Sequence, residues 1–500
     1  MIHKKSINQQ PPSHLNIQSP DHTKQYQHKL HNHHNSNNKF HNNNKKNKYN
    51  IGSFIQFSPY LLFIAVYSVL YFYMLQTSRL GYSQTILYGG LPLFAIFITT
   101  IYAFFTFQEK LSINQKFNMF LYGVSHPAAI HYYILAIFIA VFTHITGQTN
   151  GILTTASLGL IYIPASLIMP IIFCLGSIIT AITKSFLMTI LIAIPIVDGI
   201  ARSLHINSGF IIATLIGGAL AGKHLVEYCT QIKNLQKDRL CTPWHVLTST
   251  TWAIFPAIIY TLFILSQAIY ESIDPKIIAY LYESLTLDNY LSLAPHITVG
   301  ITSFLGFDII IALIFGSCLG IVLEIGWYKM NFLDTIATMF SGFYTDTCMI
   351  TIVLCYMGLA GLTKIIKNNG GFHYIFDSMQ LTQEKNQLIA QIKMILLAIM
   401  LPIFILFDDS VIHIFSSQIK KIAHQTNLSS FFIFNLLYII TTTMQTLVPY
   451  GIIMMMATKT SRIVYTEILP YMIYPVTILL CTMISLIISY GIEKKIKVRS

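Results

Sequence analysis

Charge is scarce in this chain. Of its 500 residues, 31 are Lys or Arg and only 19 are Asp or Glu, which makes 10% charged; an ordinary soluble domain carries about 25%. That shortage excludes a water-exposed globule of this length. Paired cysteines are missing too. The seven cysteines are odd in number, form no C-x-x-C and lie mostly in apolar stretches, so they read as small packing residues and exclude a disulfide framework or thiolate cage. There is no phosphate-cradling glycine loop, no H-E-x-x-H and no nucleophile–base pairing, so neither an enzyme nor a bound cofactor or metal is expected. A Lys/Arg stripe interleaved with aromatics is absent. The net charge of +12 therefore does not point to nucleic acid; it gathers in the N-terminal tail and short loops, as the positive-inside rule produces.

What is abundant is apolar: 54% of residues are hydrophobic and the mean hydropathy is +0.59. The apolar runs are continuous, without the alternation of a membrane β-barrel. The expected fold is all-α, a polytopic helical membrane protein. Runs fall near 57–76, 86–107, 128–146, 158–182, 186–201, 208–222, 246–269, 296–325, 345–365, 389–407, 431–451 and 467–490, which gives roughly ten to thirteen spans. Two runs read as double elements: 158–182 carries Pro164 and Pro170, and 296–325 is preceded by Pro295 and carries Gly306. Residues 1–50 are rich in Asn, Gln, Lys and His and are expected to form a disordered cytoplasmic tail. Residues 493–500 make a short basic tail, also expected in the cytoplasm. Between them, 51–125 reads as N-terminal transmembrane helices, and 126–290 and 291–492 as two halves. The stretch from Ile200 to Ile211 resembles that from Ile422 to Ile433, as in transporters built from duplicated halves with interrupted helices.

Four charges stand inside or beside apolar runs: Lys184, Lys223, Asp408 and Asp409. An ionised group at the centre of a spanning helix costs about 2.5–3.5 kcal/mol on insertion scales, and such residues mark ion or substrate paths. Lys184 lies in a polar interruption with Thr180, Thr183 and Ser185. These hydroxyls serve either a ligand at an unwound helix or helix–helix packing. Lys223 follows Gly217-Gly218-Ala219-Leu220-Ala221-Gly222, a run that permits either close helix approach or a break; the lysine itself also fits the start of a loop. Asp408, Asp409 and Ser410 separate two apolar segments; adjacent carboxylates favour a cation, a shared proton or a lysine partner, and the segment also fits a loop at the membrane surface. Gln445 and Thr446 precede Pro449, which removes a backbone donor and breaks a helix.

The stretch His126-Pro127 through Gly147, with Ser157-Leu158-Gly159-Leu160-Ile161-Tyr162-Ile163-Pro164 and the glycine run before Lys223, resembles NhaC-type sodium/proton antiporters of the ion transporter superfamily. In the second half Gly358-Leu359-Ala360-Gly361-Leu362, Asn369-Gly370-Gly371, Leu447-Val448-Pro449-Tyr450-Gly451 and the segment from Glu467 to Pro475 are similar to the same family in the same order. The resemblance implies two inverted repeats with broken or re-entrant helices, and exchange of sodium for protons. It also exposes departures. Lys223 stands where the family has an aspartate, Ile182-Thr183-Lys184-Ser185 where it has T-G-T-S, and Phe407-Asp408-Asp409-Ser410 where it has an A-N-N-T-like stretch.

The leading expectation is thus a secondary transporter, a cation/proton antiporter with an altered ion site, in which a lysine of the first half meets a carboxylate of the second. The alternatives are a proton- or substrate-coupled organic anion or amino-acid exchanger of the same fold, and a non-transporting membrane scaffold. Expected partners are lipid, protons, and a monovalent cation or small anionic solute, with a second copy of the chain as a candidate. The expected location is the bacterial inner membrane, with both termini in the cytoplasm.

Overall fold

The structure, a computed structural model, describes residues 54–77, 90–107, 111–149, 151–164, 167–203, 206–235, 243–267, 286–345, 347–379, 386–404, 422 and 430–499. The N-terminal tail and Asp408, Asp409 and Ser410 lie outside the described residues, so the expected pairing of a lysine with Asp408 or Asp409 does too. The described residues are helical, with no strand among them. This follows from the solvent the composition demands: in hydrocarbon each backbone N–H and C=O must be satisfied within the segment, and a helix does so.

In chain order the helices are α1 (Phe54–Thr77), α2 (Leu91–Phe105), α3 (Ile113–Val124), α4 (Pro127–Gln148), α5 (Gly151–Tyr162), α6 (Ile168–Thr183), α7 (Phe186–Ser203), α8 (Ser208–Leu235) and α9 (Pro243–Ser266). The second half holds α10 (Ala294–Phe304), α11 (Ile309–Gly326), α12 (Phe332–Thr345), α13 (Thr347–Asn368), α14 (Gly371–Met379), α15 (Gln387–Phe404), α16 (Ser430–Leu447), α17 (Ile452–Ser461) and α18 (Ile473–Arg499). Both runs read as double elements do divide: α5 ends before Pro164, and Gly306, at φ +92°, separates α10 from α11.

Among the described residues five helical stretches are long and apolar enough to cross a membrane: Phe54–Met74, Ala129–Gln148, Ser208–Thr230, Ile309–Gly326 and Ile433–Ser461. The pair Tyr465–Tyr471 and Ile473–Ile488, bent by 46°, makes a sixth. Other apolar runs among the described residues form shorter helices, such as Leu91–Phe105 and Ile168–Thr183. The outer surface is apolar as well. Val69, Phe72, Phe97, Ile259, Leu480 and Ile487 are all exposed, an arrangement that suits lipid and that water would penalise. The architecture is that of a multi-pass membrane protein.

Several threonines inside the bundle are satisfied locally. The hydroxyls of Thr99, Thr146, Thr261, Thr443, Thr458 and Thr482 donate to the carbonyl four residues back in their own helix at 2.6–2.9 Å. Links between helices are sparser; Tyr60 Oη donates to Thr363 Oγ1 at 2.8 Å, and Thr261 and Thr477 hydroxyls meet at 2.9 Å.

The glycine run before Lys223 does not break its helix. α8 passes through it without interruption, and the glycines instead let α6 press against α8. A Cβ on Gly218 would collide with the Phe173 carbonyl oxygen, and one on Gly176 would lie 2.8 Å from the Leu215 carbonyl oxygen. Small residues serve this purpose in membranes, where packing replaces the hydrophobic drive between helices. Gly218→Ala should therefore lower detergent-solubilised stability by about 1–3 kcal/mol, the usual penalty for overpacking. Gly300→Ala, in α10 with nothing within 4 Å of the added Cβ, should leave the thermal midpoint unchanged or raise it.

Candidate functional site

Three chain breaks face one cavity of about 610 Å³. The first is Lys184-Ser185, between α6 and α7. Thr180 and Thr189 flank it, nine residues apart, with their hydroxyls hydrogen-bonded at 2.8 Å. A continuous helix would hold them about 13 Å apart, so the chain turns sharply here. Lys184 makes that turn in the left-handed region, at φ 53° and ψ 16°. Thr183 Oγ1 donates to Ile179 O at 2.8 Å and accepts from the Ser185 N–H at 3.3 Å. Ser185 Oγ accepts from the Met188 N–H at 3.3 Å, capping the start of α7. Both hydroxyls therefore hold the turn, and the lysine is left at its apex.

The second break is the turn 305–308 between α10 and α11. At 11 residues, α10 is about 16 Å long, half the thickness of a hydrocarbon core. It lies back against α11, with Val299 and Pro295 close to Gly316. Asp308 caps α11 by accepting from the Ile310 N–H at 2.9 Å. The third break is Val448–Gly451, between α16 and α17, at the position expected from Pro449. Tyr465 Oη donates to the freed Leu447 carbonyl at 2.7 Å. Gly451 supplies no side-chain cap to α17, and Gly451, Ile452 and Ile453 at the start of that helix line the cavity.

Of the ten residues singled out from the sequence, seven line this cavity: Thr180, Thr183, Lys184, Ser185, Lys223, Gln445 and Thr446. Asp408, Asp409 and Ser410 lie outside the described residues. Lys223 is not at a loop; it projects from the middle of α8, and its Nζ sits 5.7 Å from the centre of the Phe186 ring, at the start of α7. Two carboxylates join the lysines, Glu227 one helical turn beyond Lys223 and Asp308 at its cap, together with His131. Glu227 and His131 escaped sequence reading because each stands near the end of an apolar run, where polar groups are ordinary, and Asp308 because it follows Gly306 and reads as the cap of the next helix.

His224 also escaped it. The residue is buried beside Lys223, and its Nε2 lies 2.9 Å from Thr442 Oγ1 and its Nδ1 3.1 Å from Tyr474 Oη. Thr442 spends its one proton on the Tyr438 carbonyl at 2.8 Å. The ring must then donate from Nε2 and accept at Nδ1. Both Thr442 and Tyr438 line the cavity, so this imidazole ties α8, and with it Lys223, to α16 and α18.

Two outcomes follow. Lys184→Gly should hold or raise the thermal midpoint, since a non-glycine left-handed residue costs about 1–3 kcal/mol, whereas Lys184→Val should lower it. Thr442→Val leaves the buried His224 Nε2–H without its acceptor and should lower stability in chemical unfolding by about 1–3 kcal/mol. No family model matches this chain, and no curated protein matches it.

Proposed function

We propose that the chain is a secondary transporter whose central cavity takes a small carboxylate-bearing solute, an organic acid or amino acid. The observation that carries this reading is the convergence of two lysine ammonium groups, Lys184 and Lys223, and the start of α17 on one cavity of about 610 Å³. Helix N-termini and ammonium groups stabilise negative charge, and discontinuous helices direct such ends at anionic substrates in transporters. The volume falls within the range of about 300–1,000 Å³ that houses small organic ligands, larger than a bare monovalent ion needs. Glu227 and Asp308 give the same cavity an acidic side, which suits the ammonium group of an amino acid or a co-transported cation.

Breaks in both halves that face one space support a fold of two inverted repeats. The resemblance to NhaC-type antiporters supports the same transporter class, with the lysines turning a cation site towards anions. On this reading the protein works in the bacterial inner membrane with both termini in the cytoplasm, and solute movement is coupled to protons or to counterflow.

Proteoliposome flux with a panel of small carboxylates, amino acids, Na+ and Li+, under an imposed pH gradient, tests the proposal. A carboxylate or amino acid should be taken up. Lys184→Gln and Lys223→Gln should each raise the half-saturating concentration about 10–100-fold, the equivalent of losing a charged hydrogen bond of about 1.5–3 kcal/mol. Na+/proton exchange indifferent to carboxylates would overturn it and favour cation antiport.

A further inference from the structure

A second cavity, of about 390 Å³, is lined by Thr143, His144 and Gln148 of α4, Leu191 and Pro195 of α7, and Lys459 and Arg462 at the end of α17. The same three helices also line the first cavity, at other levels along their length. On α4 the first cavity meets His131 and Leu135 and the second meets Ile139, Thr143 and Gly147. These residues follow one another at four-residue steps, each turning about 40° round the helix, so the row winds about the axis of α4 as it passes from one cavity to the other. On α7, Leu187 lines the first cavity and Leu191 and Pro195 the second, again at steps of four. α17 begins at the first cavity with Ile452 and Ile453 and ends at the second with Lys459 and Thr460.

What separates the two spaces is thin and apolar. Leu135 and Ile139, Leu187 and Leu191, and Met456 are each buried and stand where the rows pass from one cavity to the other. The layer is one to two helical turns thick, about 6–9 Å. An apolar constriction of this kind closes a path by excluding water. The cations beyond it, Lys459 and Arg462, raise the local concentration of anions at its mouth.

We propose that the two cavities are the two ends of one anion pathway between α4, α7 and α17, closed by this apolar collar, with Lys459 and Arg462 forming a second anion-attracting vestibule. The inference rests on the transporter reading, but it adds a route, a gate and a second recruiting site.

The test is side-specific cysteine labelling of the full-length protein, with Val226→Cys reporting on the first cavity and Thr143→Cys on the second. Intact cells and inside-out membrane vesicles are treated with membrane-impermeant methanethiosulfonates, one bearing a sulfonate and one a trimethylammonium group. Peptide mass mapping separates the introduced cysteine from the native ones. The two positions should label from opposite membrane faces. Thr143→Cys should react several-fold faster with the sulfonate reagent, and adding Lys459→Gln and Arg462→Gln should abolish that preference. Labelling of both positions from one face, no labelling of Thr143→Cys from either face, or equal rates with the two reagents would overturn the proposal. No transported solute enters this readout. A failed carboxylate flux with opposite-face labelling would sink the choice of solute and keep the pathway; the reverse pattern would keep the solute and sink the pathway.

Discussion

Hydrocarbon cannot hydrogen-bond a bare amide, and the architecture turns on that constraint. An unsatisfied backbone group in lipid costs several kcal/mol, so helices may break only where protein or water-accessible polar groups take over the freed donors and acceptors. Each break here obeys it. The turn at Lys184 is held by Thr183 and Ser185, the turn before α11 by Asp308, and the end of α16 by the Tyr465 hydroxyl. All three open onto the same space. The cavity is therefore the place where the fold can tolerate irregular backbone, and it is also where ammonium and carboxyl groups find water.

Close packing keeps that space in shape. α6 and α8 approach to backbone contact through Gly176 and Gly218, which sets the turn at Lys184 against the helix that carries Lys223. His224 then fixes α8 to α16 and α18. The two lysines thus reach the cavity from elements coupled by glycine contact on one side and by a buried imidazole on the other. A flexible side chain on a rigid footing can reorient within the cavity without the helices moving first.

Much of this was legible in the chain because membranes punish charge so strongly. Lys184 and Lys223 stood out against apolar neighbours, and Pro449 and Gly306 marked breaks that the structure contains. Other features were hidden by ordinary physics. Asp308 looks like a helix cap, which it is, and nothing local says that its cap faces a cavity. The partners of His224 lie 250 and 218 residues away in sequence, beyond any spacing argument. Glu324, in an apolar run, is fully buried; its burial depends on α11 being enclosed by neighbours that periodicity does not reveal. The glycine run before Lys223 was ambiguous in sequence because close approach and helix breakage ask for the same residue.

The threonines that bond back to their own helices have a mechanical consequence. A hydroxyl satisfied by the carbonyl one turn below carries its partner with it wherever the helix goes. Thr443 and Thr446 in α16, Thr458 in α17 and Thr482 in α18 are of this kind. Translating or rotating such a rod past its neighbours ruptures none of these bonds; the polar links that must be exchanged are the few between helices, such as His224 with Thr442 and Tyr474 and Thr261 with Thr477. Lubrication of this sort gives a densely filled bundle the freedom to rearrange without first dissolving its polar interior.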